Sequence, residues 1–353
     1  MKRVIAILLT FIVLSGGALY AMLDQFDPKL RNEGRQLSPP RMAVDIRLKR
    51  MAKQTPPALM WLGDSTIDWW GGPSYATKIN AELESELKTK IAWHDGANFF
   101  HHYVLVSAYA DAALARPAKT GERRAPKLIV FIANPRMMID KLDPDSRLNN
   151  IAIYMPSSTI PRSLALPFYD HGLTIPQILL SRVSRLPALR ERLEFSKAAR
   201  DKFQNAAFWE RVGRGPANSL LGPSTKLTRQ AAKFRSQWTR RLGPGNSTMQ
   251  MIGPTIRAAQ EWGAQTLVIG TPVPLHSLRK YEWFDGDDYL RRLETLQATV
   301  EQAGSRYLNL HNALSKEHFR DRLDHYNEPG AERMVELVRP VVYEMLGHPL
   351  PKQ

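Results

Sequence analysis

The chain has 353 residues, enough for one large domain or two modest ones with a substantial hydrophobic core. It contains no cysteine, which excludes disulfide bonds, thiolate metal sites and a cysteine nucleophile. Its formal net charge is +15, with 15 lysines and arginines against four acids between Ser181 and Gly245 alone. This excess predicts an anionic lipid surface or envelope polymer as partner rather than nucleic acid, because no recognised nucleic-acid module is present.

The chain begins with an apolar segment behind two cations. Lys2 and Arg3 precede an uncharged run of 20 residues from Val4 to Leu23, which can just span a hydrocarbon core about 30 Å thick. We interpret residues 1–23 as a signal anchor or transmembrane helix in the inner (cytoplasmic) membrane, with the rest of the chain in the periplasm or extracytoplasmic space. The small residues Gly16-Gly-Ala18 leave cleavage as a signal peptide open.

After the apolar segment, the pattern predicts a connector and then one α/β domain. Residues 24–56 are polar and basic, as expected of a juxtamembrane connector, with a short helix between Met42 and Met51. Residues 57–349 alternate between apolar runs typical of buried strands and helical stretches. This order predicts a three-layer α/β/α fold with a parallel, flavodoxin-like five-stranded sheet. The strands are expected at Ala58–Leu62, Ile91–Trp93, Leu128–Ala133, Thr266–Gly270 and Tyr307–Leu310, and the helices at Tyr75–Lys88, Phe99–Ala115, Ile252–Trp262, Tyr289–Ala303 and Ala331–Leu346.

A long segment interrupts this alternation at about residues 140–250. It carries prolines and amphipathic basic stretches but no convincing strand, which predicts a mainly helical insertion. The insertion contains most of the excess positive charge. That charge is either an ordinary solvated helical surface or a face directed at an anionic polymer or lipid.

Polar residues suited to catalysis follow four of the predicted strands. The first apolar run ends in Gly63-Asp64-Ser65, Gly96 follows the second, Asn134 ends the third, and His325 follows the last. The carboxyl ends of parallel strands meet at one edge of a sheet, so these residues are expected to converge, with Gly63 permitting a sharp turn. A serine attacks an ester when a base takes its proton and donors stabilise the oxyanion, and histidine is a suitable base near neutral pH.

This set of residues, in this order, resembles the SGNH/GDSL hydrolase superfamily from Pro57 to Met345, apart from the middle insertion. Members of that superfamily have a Gly-Asp-Ser serine first, then an oxyanion-hole glycine and asparagine, and finally an Asp-x-x-His pair. The segments Thr271-Pro-Val-Pro274 and His325-Tyr-Asn-Glu-Pro-Gly330 also resemble a branch found with exported acyl-transfer proteins. That branch includes membrane-anchored partners of polysaccharide O-acetylation and teichoic acid D-alanylation.

The resemblance implies a role for each of these residues. Ser65 would be the nucleophile that forms an acyl-serine intermediate, and His325 would be its base. The N–H groups of Ser65 and Gly96 and the side-chain amide of Asn134 would form the oxyanion hole.

The acid of the catalytic triad is left open between two aspartates. Arg322 stands three residues before His325, where the superfamily has aspartate. Asp321 lies one position earlier and is favoured, because one bulged residue would curl it under the imidazole. Asp324 is adjacent to His325, and neighbouring side chains in an extended loop tend to diverge.

Other polar and aromatic residues have simpler interpretations. Asp64 is expected to be a turn or capping residue, and the His101-His102 pair a partly exposed helix surface rather than a metal site. Trp69-Trp70 is expected to pack beside the site or to provide a platform for a sugar or acyl group. No glycine-rich phosphate loop is present, and neither a cofactor nor a metal is expected.

The sequence therefore predicts an exported, membrane-anchored serine acyl enzyme that transfers an acetyl-like group to or from a cell-envelope polysaccharide or polymer. The first alternative is a periplasmic or extracellular carboxylic ester hydrolase (an esterase or lipase). The second is a non-catalytic assembly partner of a membrane acyltransferase. The expected partners are the membrane, an anionic envelope polymer or lipid surface, and a multi-spanning membrane acyltransferase.

Overall fold

The computed structural model describes residues 47–67, 74–93, 96–117, 120–138, 235–320 and 324–350, together with Met155, Pro156, Thr159 and Leu166. The expected anchor at 1–23, most of the connector and most of the insertion lie outside the described residues, as do Asp321, Trp69 and Trp70. Within the described ranges, no helix combines the length and apolarity needed to cross a bilayer.

A single five-stranded parallel sheet forms the centre of the domain, as predicted. The strands are β1 (Leu59–Gly63), β2 (Thr89–Trp93), β3 (Leu128–Ala133), β4 (Gln265–Gly270) and β5 (Arg306–Asn309). They lie in the order β2-β1-β3-β4-β5, and every neighbouring pair is parallel. The order of the strands therefore reverses between β1 and β3, which is where open α/β sheets bind ligands.

Helices cover both faces of the sheet and give the three layers that were expected. Residues 47–53 are also helical, and 3₁₀ turns lie at Pro135–Met137 and Lys316–His318. The other helices are α1 (Tyr75–Leu83), α2 (Phe99–Leu114), α3 (Ser247–Gln250), α4 (Ile252–Trp262), α5 (Leu275–Leu278), α6 (Gly286–Gln302) and α7 (Glu328–Leu346). One face of the sheet carries α2, α4 and α6, and the other carries α1 and α7.

Capping side chains explain why two helices begin earlier than predicted. The Asp285 carboxylate accepts hydrogen bonds from two first-turn N–H groups of α6, both at 3.0 Å. The Asn327 side chain likewise accepts from Gly330 N at 2.9 Å and starts α7 directly after His325. The apolar periodicity used for the prediction begins only where each helix reaches the core, whereas a cap sets the first residue.

Gly63 has a different role from the turn predicted for it. It is the last residue of β1 and is not among the glycines with a positive φ. A Cβ at this position would lie 2.6 Å from Ile132 Cγ1 and 2.8 Å from Ile67 Cδ1. Gly63 is therefore required because β3 and the turn after β1 approach its backbone closely.

The expectation of a partly exposed His101-His102 pair is wrong, since both residues are buried. His101 Nδ1 lies 2.9 Å from Asn98 Oδ1 and takes part in the capping box that starts α2. His102 Nε2 lies 3.2 Å from the Ile132 carbonyl oxygen, and its ring packs between Phe99 and Phe131. Helix α2 is buried along most of its length because it lies across the centre of the sheet, and a polar pair on such a helix is buried with it.

We expect two buried histidines to make the fold sensitive to acid. Burial lowers the pKa of His102 and of His311 from 6.5 to about 4. Between pH 6.5 and pH 4, these imidazoles are therefore protonated in the unfolded chain but neutral in the folded protein. The free energy of unfolding consequently falls over this range as pH decreases, by about 3 kcal/mol for each histidine. In urea unfolding, His102→Phe should make the decrease in the free energy of unfolding between pH 6.5 and pH 4 smaller by the contribution of one histidine, about 3 kcal/mol. A decrease equal to that of the wild type would contradict the assignment.

Candidate active site

The predicted nucleophile and base meet at the carboxyl edge of the sheet. Ser65 follows β1 and His325 precedes α7, and Ser65 Oγ lies 3.0 Å from His325 Nε2 although 260 residues separate them. This is an ordinary hydrogen-bond distance for proton transfer from a hydroxyl to an imidazole. Both residues lie beside the point between β1 and β3 where the strand order reverses.

The loop that carries His325 is held at both ends by backbone hydrogen bonds. Arg320 N donates to His325 O at 2.8 Å, and Asn327 N donates to His318 O at 3.1 Å. The intervening Tyr326 is buried and packs its ring against Phe319, with the ring centroids 6.0 Å apart. These contacts fix the backbone on both sides of the imidazole, which limits the positions that its ring can adopt.

A buried network of side chains joins the residues that flank the Ser65–His325 pair. Asn134 Nδ2 lies 2.6 Å from Asp64 Oδ2 and 2.6 Å from Asp324 Oδ2. Arg136 donates to both oxygens of Asp324, from Nε and Nη2, each at 2.9 Å. Asp64 directly precedes the serine and Asp324 directly precedes the histidine, so the loops after β1 and β3 and the histidine loop are tied together.

Asp324, the other candidate for the triad acid, has a cationic partner. Its carboxylate is buried and forms a two-pronged ion pair with the Arg136 guanidinium. Such pairs hold both charges in fixed positions. Asp321, the favoured triad acid, lies outside the described residues, so its placement against His325 remains a prediction.

Asn134 is placed beside the nucleophile loop, but its amide is already engaged. Its two Nδ2 hydrogens face the two carboxylates of Asp64 and Asp324. Its Oδ1 accepts from Arg136 N at 3.0 Å. An oxyanion role for this amide would therefore require one of its hydrogen bonds to a carboxylate to be released when substrate binds.

Gly96, the glycine expected in the oxyanion hole, lies just beyond the end of β2. Its φ of 65° is in the left-handed region that favours glycine. The residue leads into Asn98, whose side chain caps α2 by accepting from Phe100 N at 3.1 Å. Gly96 therefore stands between the second strand and a helix amino terminus, which is a setting suited to a backbone N–H donor.

Asp64 is a turn residue, as expected, and its carboxylate is buried. Its Oδ1 accepts from Thr66 N at 2.9 Å and from Thr66 Oγ1 at 2.6 Å. Burial, and then the nearby negative charge of Asp324, raise the pKa of Asp64. Burial also raises the pKa of Tyr75, to which Asp64 adds a smaller effect. The burial that causes both shifts is visible directly, since Asp64 and Tyr75 are almost completely removed from solvent beside the serine loop.

Arg136 is the functional residue that the sequence analysis missed. The sequence did contain a signal for this residue, because Arg136 is a charged residue that follows the Asn134-Pro135 pair just beyond the end of the third strand. Arginine at that edge needs either solvent or a carboxylate partner, and here it is almost completely buried against Asp324.

A second serine–histidine contact provides an internal comparison. Ser277 Oγ lies 2.5 Å from His276 Nε2 on the short helix α5. These two residues are adjacent in sequence and belong to one helical turn, whereas Ser65 and His325 come from separate elements. Burial and the cations Lys316 and Lys280 lower the pKa of His276. Among the described residues, no group of histidine, cysteine, aspartate or glutamate side chains is arranged to hold a metal ion.

No protein-family description matches this sequence, and no curated protein sequence matches it. The chain is similar in structure to the acetylxylan esterase Axe2 from Geobacillus stearothermophilus, with 9% identity and a TM-score of 0.34 over 85% of this chain and 98% of that one. It is also similar to LAE5, an alpha/beta hydrolase enzyme from the metagenome of Lake Arreo, Spain, with 9% identity, a TM-score of 0.35 and coverage of 84% and 98%.

Proposed function

We propose that this protein is an SGNH-type serine acyl enzyme in which Ser65 carries the acyl group. The observation that carries the proposal is the 3.0 Å contact between Ser65 Oγ and His325 Nε2 at the carboxyl edge of a parallel sheet. His325 takes the Ser65 hydroxyl proton as Oγ bonds to the acyl carbon of an ester. The imidazolium then gives that proton to the departing alkoxide, which leaves an acyl-serine and an alcohol.

The negative charge on the acyl oxygen needs donors while the tetrahedral intermediate exists. We assign this role to the backbone N–H groups of Ser65 and Gly96, with the Asn134 amide as a third donor. Two of these groups belong to the loops after β1 and β2, and the third follows β3. The hydrogen bonds from Asn134 Nδ2 to Asp64 and Asp324 hold the Ser65 and Asn134 loops together, and the assignment requires one of these bonds to be released when substrate binds.

The acyl-serine is discharged by a hydroxyl group or by water. We propose transfer to or from a cell-envelope polysaccharide or polymer, with an acetyl-like group, as the physiological outcome. The apolar run at Val4–Leu23 and the basic insertion support it, since an anchored, cationic enzyme would work on a fixed anionic surface. In this proposal, the protein is held in the cytoplasmic membrane with its catalytic domain outside, beside a multi-spanning acyltransferase.

A fluorophosphonate probe tests the acyl-enzyme proposal on the purified full-length protein. We expect stoichiometric labelling of the wild type, loss of labelling in Ser65→Ala, and unchanged labelling in Ser277→Ala. The matched Ser277 variant removes the other serine–histidine contact, so it separates a reactive nucleophile from any serine that lies near a histidine. Labelling that persists in Ser65→Ala would overturn the proposal.

A second measurement separates transfer from hydrolysis. The acetyl-enzyme is first formed from an activated acetyl ester. It is then incubated with water alone or with an acceptor oligosaccharide, and the products are quantified by mass spectrometry. Acetylated oligosaccharide in excess of free acetate would support transfer, whereas free acetate alone would assign the protein as an esterase. Absence of any acyl-enzyme would instead favour the third candidate, a non-catalytic assembly partner.

A further inference from the structure

A cavity of about 450 Å³ lies at the amino-terminal ends of β1 and β2, whereas Ser65 lies at the carboxyl edge of the sheet. Residues 47–53 form its one wall as a helix, and the start of β2 with the residues before it forms the other. Met60 of β1, Met51 of the helix and Ala92 of β2 provide buried apolar surface within it.

Four cations and a single acid surround this apolar floor. Arg47 and Arg50 come from the helical wall, and Lys88 and Lys90 come from the edge strand and the residue before it. The acid is Glu84, so the lining carries a formal charge of +3. Within the part of the chain that the structure describes, none of the four cations takes part in a salt bridge.

Arg47 gives a second, independent indication of a ligand. Its Nη1 is buried and has no hydrogen-bond partner in the structure. A guanidinium nitrogen removed from water without an acceptor is costly, because the lost hydration is not replaced. An anion in the cavity would supply that acceptor, and the arginine fork suits phosphate oxygens in particular.

We propose that this cavity binds the phosphate head group of an anionic amphiphile, in the manner of a phospholipid. The four cations would contact the phosphate oxygens. The methionine and alanine side chains would contact the apolar part of the amphiphile next to the phosphate. The location supports a lipid source rather than free phosphate. Arg47, the first described residue after the apolar run at Val4–Leu23, lines the cavity.

Binding at this cavity would also orient the enzyme. Strand β1 has the cavity near its first residue and Ser65 beyond its last, and five residues of strand span about 13 Å. A domain that holds lipid at the amino-terminal end of the sheet would direct its catalytic edge away from the bilayer. This inference does not depend on the identity of the nucleophile, because none of the cavity residues contributes to the catalytic edge.

The test uses the full-length protein in a nanodisc of phosphatidylcholine, a zwitterionic lipid, without detergent. Soluble dihexanoyl phosphatidylglycerol is titrated and its binding measured by calorimetry, with dihexanoyl phosphatidylcholine and inorganic phosphate as separate arms. We expect binding of the phosphatidylglycerol, and at least a tenfold weaker affinity in the Lys88→Gln/Lys90→Gln variant. The matched control is Lys53→Gln/Lys127→Gln, which removes two exposed lysines outside the cavity and should change the affinity less than twofold.

Three results would overturn the proposal. The first is equal affinity in the cavity variant and the wild type, which would place the lipid elsewhere. The second is inorganic phosphate binding as tightly as phosphatidylglycerol, which would make this a free-phosphate site. The third is no binding to the wild type together with a lower melting temperature for the cavity variant, which would show that the chain's own residues occupy the cavity. Circular dichroism spectra of the wild type and of each variant provide the measure of an intact fold in every arm, whether or not Ser65 is the nucleophile.

Discussion

Ser65→Ala is expected to lower the turnover of an activated acyl ester by about 10⁴-fold or more, with the fold intact. The substitution removes only the Oγ hydroxyl group, and without that group no acyl-serine can form. His325→Ala should cost about as much, because it removes the acceptor 3.0 Å from Ser65 Oγ. The double variant should be no slower than either single variant, since the two residues act as one unit.

The control for this series is Ser277→Ala, which should retain the full rate. Its serine also contacts a histidine, at 2.5 Å, but lacks the strand end and the network of carboxylates that surround Ser65. Circular dichroism and thermal unfolding of each variant establish that the fold is unchanged. Full turnover in Ser65→Ala would end the serine-enzyme interpretation, and additive losses in the double variant would show that His325 acts in a separate step.

The second large effect is expected at the buried ion pair. Arg136→Met should lower the free energy of unfolding by about 3–5 kcal/mol, because it leaves the Asp324 carboxylate buried without its charge partner. Denaturant unfolding measures this loss. The exposed pair of Arg333 and Glu336 on α7 is the matched control, and Arg333→Ala should cost less than about 1 kcal/mol.

The ion pair also predicts a contrast between the two aspartates near His325. Asp324→Asn should reduce stability, since it leaves the Arg136 guanidinium buried and unneutralised. Asp321→Asn should depress turnover far more than Asp324→Asn while stability changes little, because a triad acid orients and stabilises the imidazolium. The reverse ranking of turnover would transfer the triad role to Asp324. Two variants with normal turnover would indicate a serine–histidine dyad.

Local pattern was enough to predict the sheet. The five apolar runs became the five strands within two residues of their predicted ends. Strands β1 and β3, at the centre of the sheet, are buried along their whole length, and such continuous burial appears directly in the sequence as an apolar run. The order in which polar residues follow those strands also predicted that Ser65 and His325 would meet. Parallel strands place all their carboxyl ends at one edge, so a residue after β1 and a residue after β5 share that edge.

The partners of the buried polar side chains were decided only by the tertiary structure. Asp324 pairs with Arg136 across 188 residues, and Asn134 donates to Asp64 across 70. A sequence pattern reports which residues are buried, but it does not report which donor reaches which acceptor. That choice depends on how close side chains of separate loops come to one another in the folded protein, because a buried charge is stable only where a counter-charge meets it.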